Sequence, residues 1–234
     1  MADRAAPRFY FSLRSPYSWL AYRQLLEHHA DVARLLQWKP FWEPDEGSAR
    51  ALAARGGQFP YSAMSKAKHL YVLQDVARLA RAAGLSPTWP VDRDPVWEVA
   101  HLAYLVARDR GQGPAYIEAV YRARWQQGRD ICDPATIGEI GSELGLDGTE
   151  LAGAWRDERR REQGVGLLLD VCRDGVFGVP FFVHGHSRFW GVDRLTEFAE
   201  HLRSRTALAD RMPEPVAAVG LDRGGDQGHA GGCG

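Results

Sequence analysis

The stretch Ser15-Pro16-Tyr17-Ser18 sets two hydroxyls on either side of a proline–tyrosine pair, where an aromatic and aliphatic run begins. Serine followed by proline favours a helix start: the side-chain oxygen accepts a backbone N–H, and proline fits the first turn. The same position supports chemistry. The free N–H groups and positive dipole end of a helix favour a bound anion, and a hydroxyl there can donate a charge-assisted hydrogen bond to it. Capping and catalysis are compatible in one serine at different moments. A second signal lies far along the chain. In Gly175-Val176-Phe177-Gly178-Val179-Pro180, the proline stands before an apolar strand and is expected to be cis. That bend would free the backbone N–H and C=O of Val179 for an extended ligand, whereas the plainer reading is a rigid strand entry. The pair His184 and His186 reads as two exposed imidazoles on a hairpin turn, not as a metal site. Cys132 and Cys172 read as small, buried and inert.

These groups need elements to position them. Phe9 to Leu13 reads as a strand, Pro16 to about His29 as a helix, and Leu35 to Trp42 as a second strand. Residues 43–60, carrying Pro, Gly and Asp, read as a loop. A long helical block follows. Its first helix runs from about Ala63 to Ala83 and stops at Gly84. The segments VWEVAHLAYLVARDRG, GPAYIEAVYRARWQQG, DPATIGEIGSELGL and DGTELAGAWRDERRREQGVGLLLDVCRDG complete it, and Asp133-Pro134 is a clear helix start. Then come the loop from Gly175 to Pro180, two short strands turning near Gly185, and a last helix from about Arg194 to Leu202 capped by Asp193. Residues 212–234, rich in Gly and Pro, are expected to be disordered. The order βαβ, helices, ββα predicts an α/β fold: a thioredoxin-like core with an all-helical insertion. The core would comprise residues 8–43 and 175–205, and the insertion residues 44–174. The four residues from Ser15 to Ser18 then occupy the place of a Cys-x-x-Cys pair, and a hydroxyl cannot exchange disulfides.

Composition narrows the classes. Hydrophobic residues at 45% and charged residues at 25% suit a globular domain, and a net charge of −1 gives no reason to expect a nucleic-acid partner. Three scattered cysteines argue against a disulfide-stapled secreted protein. No apolar run approaches the ~20 residues of a membrane span. Met1 to Arg8 is too short and polar for a signal peptide. The expectation is a cytoplasmic protein with no membrane partner.

The segments FYFSLRSPYSWLAY, KHLYVLQDVARLARAAGL, GRDICDPATIGEIGSELGLD and GVFGVPFFVHGHSRFWGVDRL together resemble the 2-hydroxychromene-2-carboxylate isomerase family. That family lies in the DsbA-like thioredoxin superfamily and is related to the kappa-class glutathione transferases. The resemblance runs in order from about Arg8 to Leu202. It implies a homodimer that uses glutathione, or another low-molecular-weight thiol, and acts on a small molecule. It implies that Ser15 is the catalytic residue. Lys68, in Lys68-His69-Leu70-Tyr71, would receive a carboxylate of the thiol cofactor. Val179 and Pro180 would meet its peptide backbone. In Gly191-Val192-Asp193-Arg194, Asp193 would receive its amino group, with Arg194 beside it. Two positions depart from the family: Val192 replaces a small polar residue, and Phe59 stands where an asparagine is common.

The activity implied is thiol-assisted isomerisation of a conjugated aromatic carboxylate. A thiolate would add to the conjugated system, let the former double bond rotate, and leave again. Tyr17, Trp19, Trp42, Phe59 and Trp89 are candidate linings of the substrate cleft. A kappa-like glutathione transferase or peroxidase shares the same thiolate site. A non-catalytic thioredoxin-fold binding protein is the reading from another class. Disulfide exchange of the DsbA type is opposed by Ser15 and Ser18.

Overall fold

A computed structural model describes residues 6–60 and 64–211. The expected tail at 212–234, and the expected helix start at Ala63, lie outside the described residues. Among the described residues, four strands form one sheet: β1 (Arg8–Phe11), β2 (Gln37–Pro40), β3 (Phe181–His184) and β4 (Ser187–Trp190), in the order β2-β1-β3-β4. β1 and β2 are parallel, joined through helices α1 (Pro16–His28) and α2 (Ala30–Ala33). β3 runs antiparallel to β1, and β4 antiparallel to β3. Between β2 and β3 the described residues form seven α-helices. They are α3 (Glu46–Ala54), α4 (Lys66–Ala82), α5 (Glu98–Asp109), α6 (Gly113–Trp125), α7 (Pro134–Glu143), α8 (Gly148–Gly153) and α9 (Glu158–Asp174). A 3-10 turn (Val192–Arg194) leads into α10 (Leu195–Arg211).

The two-residue period of β1 divides its side chains between two cores. Phe9 and Phe11 join a large cluster with Trp19, Leu20 and Phe198. Tyr10 turns the other way and packs with Val171, Val176, Phe181 and Val183. The large cluster is continuous with the helical block, reaching Leu102, Ile117 and Ile140.

Three expectations need correction. Residues 43–60 are not all loop, because α3 forms within them. Asp45 caps it by accepting the Ser48 N–H at 2.7 Å, and Leu52 buries its apolar face. The segment from Asp147 to Gly175 is not continuous. α8 gives way to a 3-10 turn at Ala154–Arg156, and α9 starts afresh where Asp157 accepts the Arg160 N–H at 2.8 Å. Asp193 does not cap the last helix. It lies within the 3-10 turn, because Gly191 with φ of 108° bends the chain two residues earlier.

Candidate active site

The strand register brings both sequence signals to one end of the sheet. Phe181 pairs with Tyr10, so Pro180 lies beyond the last pair, level with the exit of β1 toward Ser15. The Val179–Pro180 bond is cis, as expected. Gly191 N–H donates to the Pro180 carbonyl at 3.0 Å, which draws the 3-10 turn carrying Asp193 and Arg194 to the same end. Among the described residues, neither backbone polar group of Val179 has a partner.

Ser15 caps α1 with backbone φ of −85° and ψ of 124°, its Oγ accepting the Ser18 N–H at 3.2 Å. Capping uses a lone pair and leaves the hydroxyl proton free to donate. Ser15 is half-buried and reachable from solvent. The second serine differs. Ser18 is fully buried, and its Oγ accepts the Ser12 N–H at 3.2 Å, so it ties the loop to the helix. Pro16 has no N–H to give, and Tyr17 N–H has no partner among the described residues. A free N–H at a helix start, beside a free hydroxyl, is an anion-binding arrangement.

The loop from Ser12 to Ser15 is held by three residues that sequence reasoning missed. His101 on α5 is fully buried, and its Nε2 accepts the Leu13 N–H at 3.1 Å. Its Nδ1 donates to the Trp97 carbonyl at 2.7 Å. Those partners fix a neutral imidazole with the proton on Nδ1. Burial drives its pKa down to about 3, against the Trp97 hydrogen bond, which raises it. Tyr121 on α6 donates its hydroxyl to the Ser12 carbonyl at 3.1 Å. Arg124 on α6 donates from Nε to the Arg14 carbonyl at 3.4 Å, while Nη1 and Nη2 grip Asp92 at 2.8 and 2.9 Å. Nothing in the local sequence marks these three, because each partner is roughly ninety or more residues away in the chain.

The remaining candidates divide. Tyr17 is half-buried and donates its hydroxyl to Asp75 at 2.7 Å, which docks α4 on the start of α1. Lys68 is exposed and precedes Asp75 by seven residues, two turns, so both share one face of α4. Asp193 and Arg194 are exposed and lie 3.8 Å apart. Val192 is buried in the large core, so its side chain packs and faces no solvent. Trp89 is partly exposed and meets Trp125 edge-on, with centroids 5.6 Å apart, and Trp125 stacks in turn on Trp19. Two of the expected cleft linings, Trp19 and Trp42, do not stand open, since the large core claims both. Trp42 is 2% exposed, stacked on His101 at 5.4 Å, so it supports the site from within the core. Phe59 is half-buried and packs on Phe41 with centroids 4.9 Å apart, so it keeps an exposed part. His184 is not an exposed turn imidazole, because its Nδ1 lies 3.2 Å from Nε2 of His201 on α10. Cys132 and Cys172 are half-buried rather than buried, and desolvation pushes the Cys132 thiol up to about 12. No group of three metal-ligating side chains occurs among the described residues, and no helix there is long and apolar enough to cross a membrane.

Comparison with known proteins agrees with this fold. A curated relative, the 2-hydroxychromene-2-carboxylate isomerase of Sphingobium xenophagum, is 26% identical over 83% of this chain and 96% of its own. A solved 2-hydroxychromene-2-carboxylate isomerase superposes with a TM-score of 0.69 at 24% identity, covering 88% of this chain and 99% of that one. The cytosolic disulfide reductase DsbM of Pseudomonas aeruginosa, solved with glutathione, superposes with a TM-score of 0.55 at 18% identity over 86% and 98% of the two chains. The family model of the DSBA-like thioredoxin domain matches residues 8–203. With a four-stranded sheet, a cis-proline loop and a helix start meeting at one end, this chain belongs to the DSBA-like thioredoxin domain family.

Proposed function

We propose that the protein is a thiol-dependent isomerase of a conjugated aromatic carboxylate, similar to the 2-hydroxychromene-2-carboxylate isomerases. The observation that carries the reading is Ser15. It stands at the start of α1, its hydroxyl proton is uncommitted, and an unpartnered Tyr17 N–H lies beside it. That arrangement suits a thiolate supplied by a small molecule, and glutathione is the thiol that the resemblance implies. In this reading, Val179 pairs with the cofactor's peptide backbone as an added strand would. Lys68 and Arg194 meet its carboxylates, and Asp193 meets its amino group. Ser15 and the helix start hold sulfur as thiolate. The thiolate adds to the conjugated bond of the substrate and turns it into a single bond. Rotation follows, and elimination returns the thiolate with the isomer. The thiol is neither oxidised nor consumed. The relatives named for this isomerisation support the substrate class. Serine at both 15 and 18 disfavours disulfide exchange through this motif. The site residues, the dimer and the cytoplasmic setting belong to the same proposal. Incubation with glutathione and 2-hydroxychromene-2-carboxylate, followed by product analysis, tests it. Isomer without a glutathione adduct supports the isomerase. An accumulating glutathione adduct shows a transferase instead.

A further inference from the structure

Under the isomerase reading, on which this step rests, the substrate's carboxylate has no receptor among the groups assigned to the thiol. We infer that Arg14 is that receptor and that the Trp97 ring is the plate that holds its guanidinium in place. Arg14 directly precedes Ser15, so their Cα atoms are about 3.8 Å apart. Its side chain is 41% exposed, and its guanidinium carbon lies 5.0 Å from the Trp97 ring centroid. Stacking on an indole restricts the long side chain while leaving the edge donors open. One donor, Nη1, meets Glu43 Oε2 at 3.1 Å, and Arg14 makes no other side-chain polar contact among the described residues. An ion pair this open to water is weak, so an incoming carboxylate can share or replace Glu43 at little cost.

The neighbouring cation cannot take this part. Arg124 lies 5.2 Å from the same ring, but its side chain is 3% exposed. Both of its terminal nitrogens are bound to Asp92, and its Nε is bound to the Arg14 carbonyl. Arg124 therefore fixes the backbone from which Arg14 projects. Arg14 combines exposure, open donors and a braced backbone beside Ser15. The ligand class is a planar aromatic carboxylate, with its acid group on the guanidinium fork.

The test is calorimetric binding of coumarin-3-carboxylate and of neutral coumarin, without thiol, to the full-length protein and to Arg14→Leu and Arg14→Lys. The intact protein should bind the carboxylate at least about tenfold more tightly than coumarin. Arg14→Leu should lose that preference, and Arg14→Lys should keep part of it, since charge remains without the stacked fork. Equal carboxylate affinity in Arg14→Leu and the intact protein overturns the assignment. So does an intact protein that does not prefer the carboxylate. Because no thiol or turnover is involved, the two ideas fail separately. Arg14-dependent binding with no isomerisation under any thiol would sink the isomerase and leave the receptor standing. Isomerisation that is unchanged in Arg14→Leu would do the reverse.

Discussion

The buried Nε2 of His101 accepts the N–H of Leu13 at 3.1 Å, across 88 positions of the chain. This one bond ties the helical block to the loop that delivers Ser15. A donor inside the protein with no acceptor costs its full desolvation. His101→Phe keeps a ring of similar bulk but orphans the Leu13 N–H, while the Trp97 carbonyl loses its 2.7 Å partner and keeps only the backbone N–H of residue 101 at 3.3 Å. The expected loss is about 1–3 kcal/mol, from one unpaired buried donor. Urea unfolding measures it, and a loss near zero would show that the bond does not brace the loop.

The same histidine sets a pH dependence. Its pKa is about 3 in the folded protein, against 6.5 for the free side chain. Between those values the unfolded chain binds the extra proton, so stability rises with pH. The contribution is complete above pH 6.5 and is lost as pH falls toward 3. Its slope approaches about 1.4 kcal/mol per pH unit in the middle of that window. Comparing unfolding of the native protein and His101→Phe across the window isolates it: the variant should lack this slope.

Tyr17→Phe removes the hydroxyl that reaches Asp75 at 2.7 Å. The first turns of α4 are exposed all round, so this bond is a main anchor at that end. The expected cost is about 0.5–1.5 kcal/mol in global stability. The sharper readout is hydrogen exchange, which should accelerate in residues 66–75 while α5 and α6 stay protected.

Asp92 and Arg124 form a two-pronged pair in which the arginine is buried and the aspartate is partly exposed. Asp92→Asn leaves a buried guanidinium with a neutral partner and should cost about 2–3 kcal/mol. Arg124→Met removes that charge altogether and leaves an aspartate that water can reach. Denaturant unfolding should therefore rank Asp92→Asn as the more damaging change, and the opposite order would mean that Arg124 is not effectively desolvated.

Much of this site was legible in the sequence where the cause is local. Ser15-Pro16 is read correctly as a cap and first turn because both preferences act within four residues. The cis bond at Pro180 is read from place instead, a proline entering a strand beside the start of the active-site helix. Helix α3 is hidden because its nine residues lie between Pro44 and the Gly56-Gly57 pair, where turn residues outweigh a short apolar face. Asp193 is misread as a cap and falls inside the 3-10 turn, because Gly191 at positive φ redirects the chain without any change in hydrophobic pattern. The brace of His101, Tyr121 and Arg124 is illegible for a different reason. Each residue looks like one more polar position on an apolar helix, and only folding brings it to Ser12, Leu13 or Arg14. Trp42 shows the converse, an aromatic residue assigned to a cleft that the core claims instead.

The central claim is that Ser15 and the start of α1 hold a small-molecule thiol as thiolate. The most direct measurement is the ultraviolet absorbance of the thiolate of bound glutathione against pH, for the native protein and Ser15→Ala. The account predicts that the thiol of bound glutathione ionises at least about one pH unit below that of free glutathione in the native protein, with much of that shift lost in Ser15→Ala. An unshifted thiol in the native protein, or an equal shift in both proteins, would contradict it and leave Ser15 as a helix cap alone.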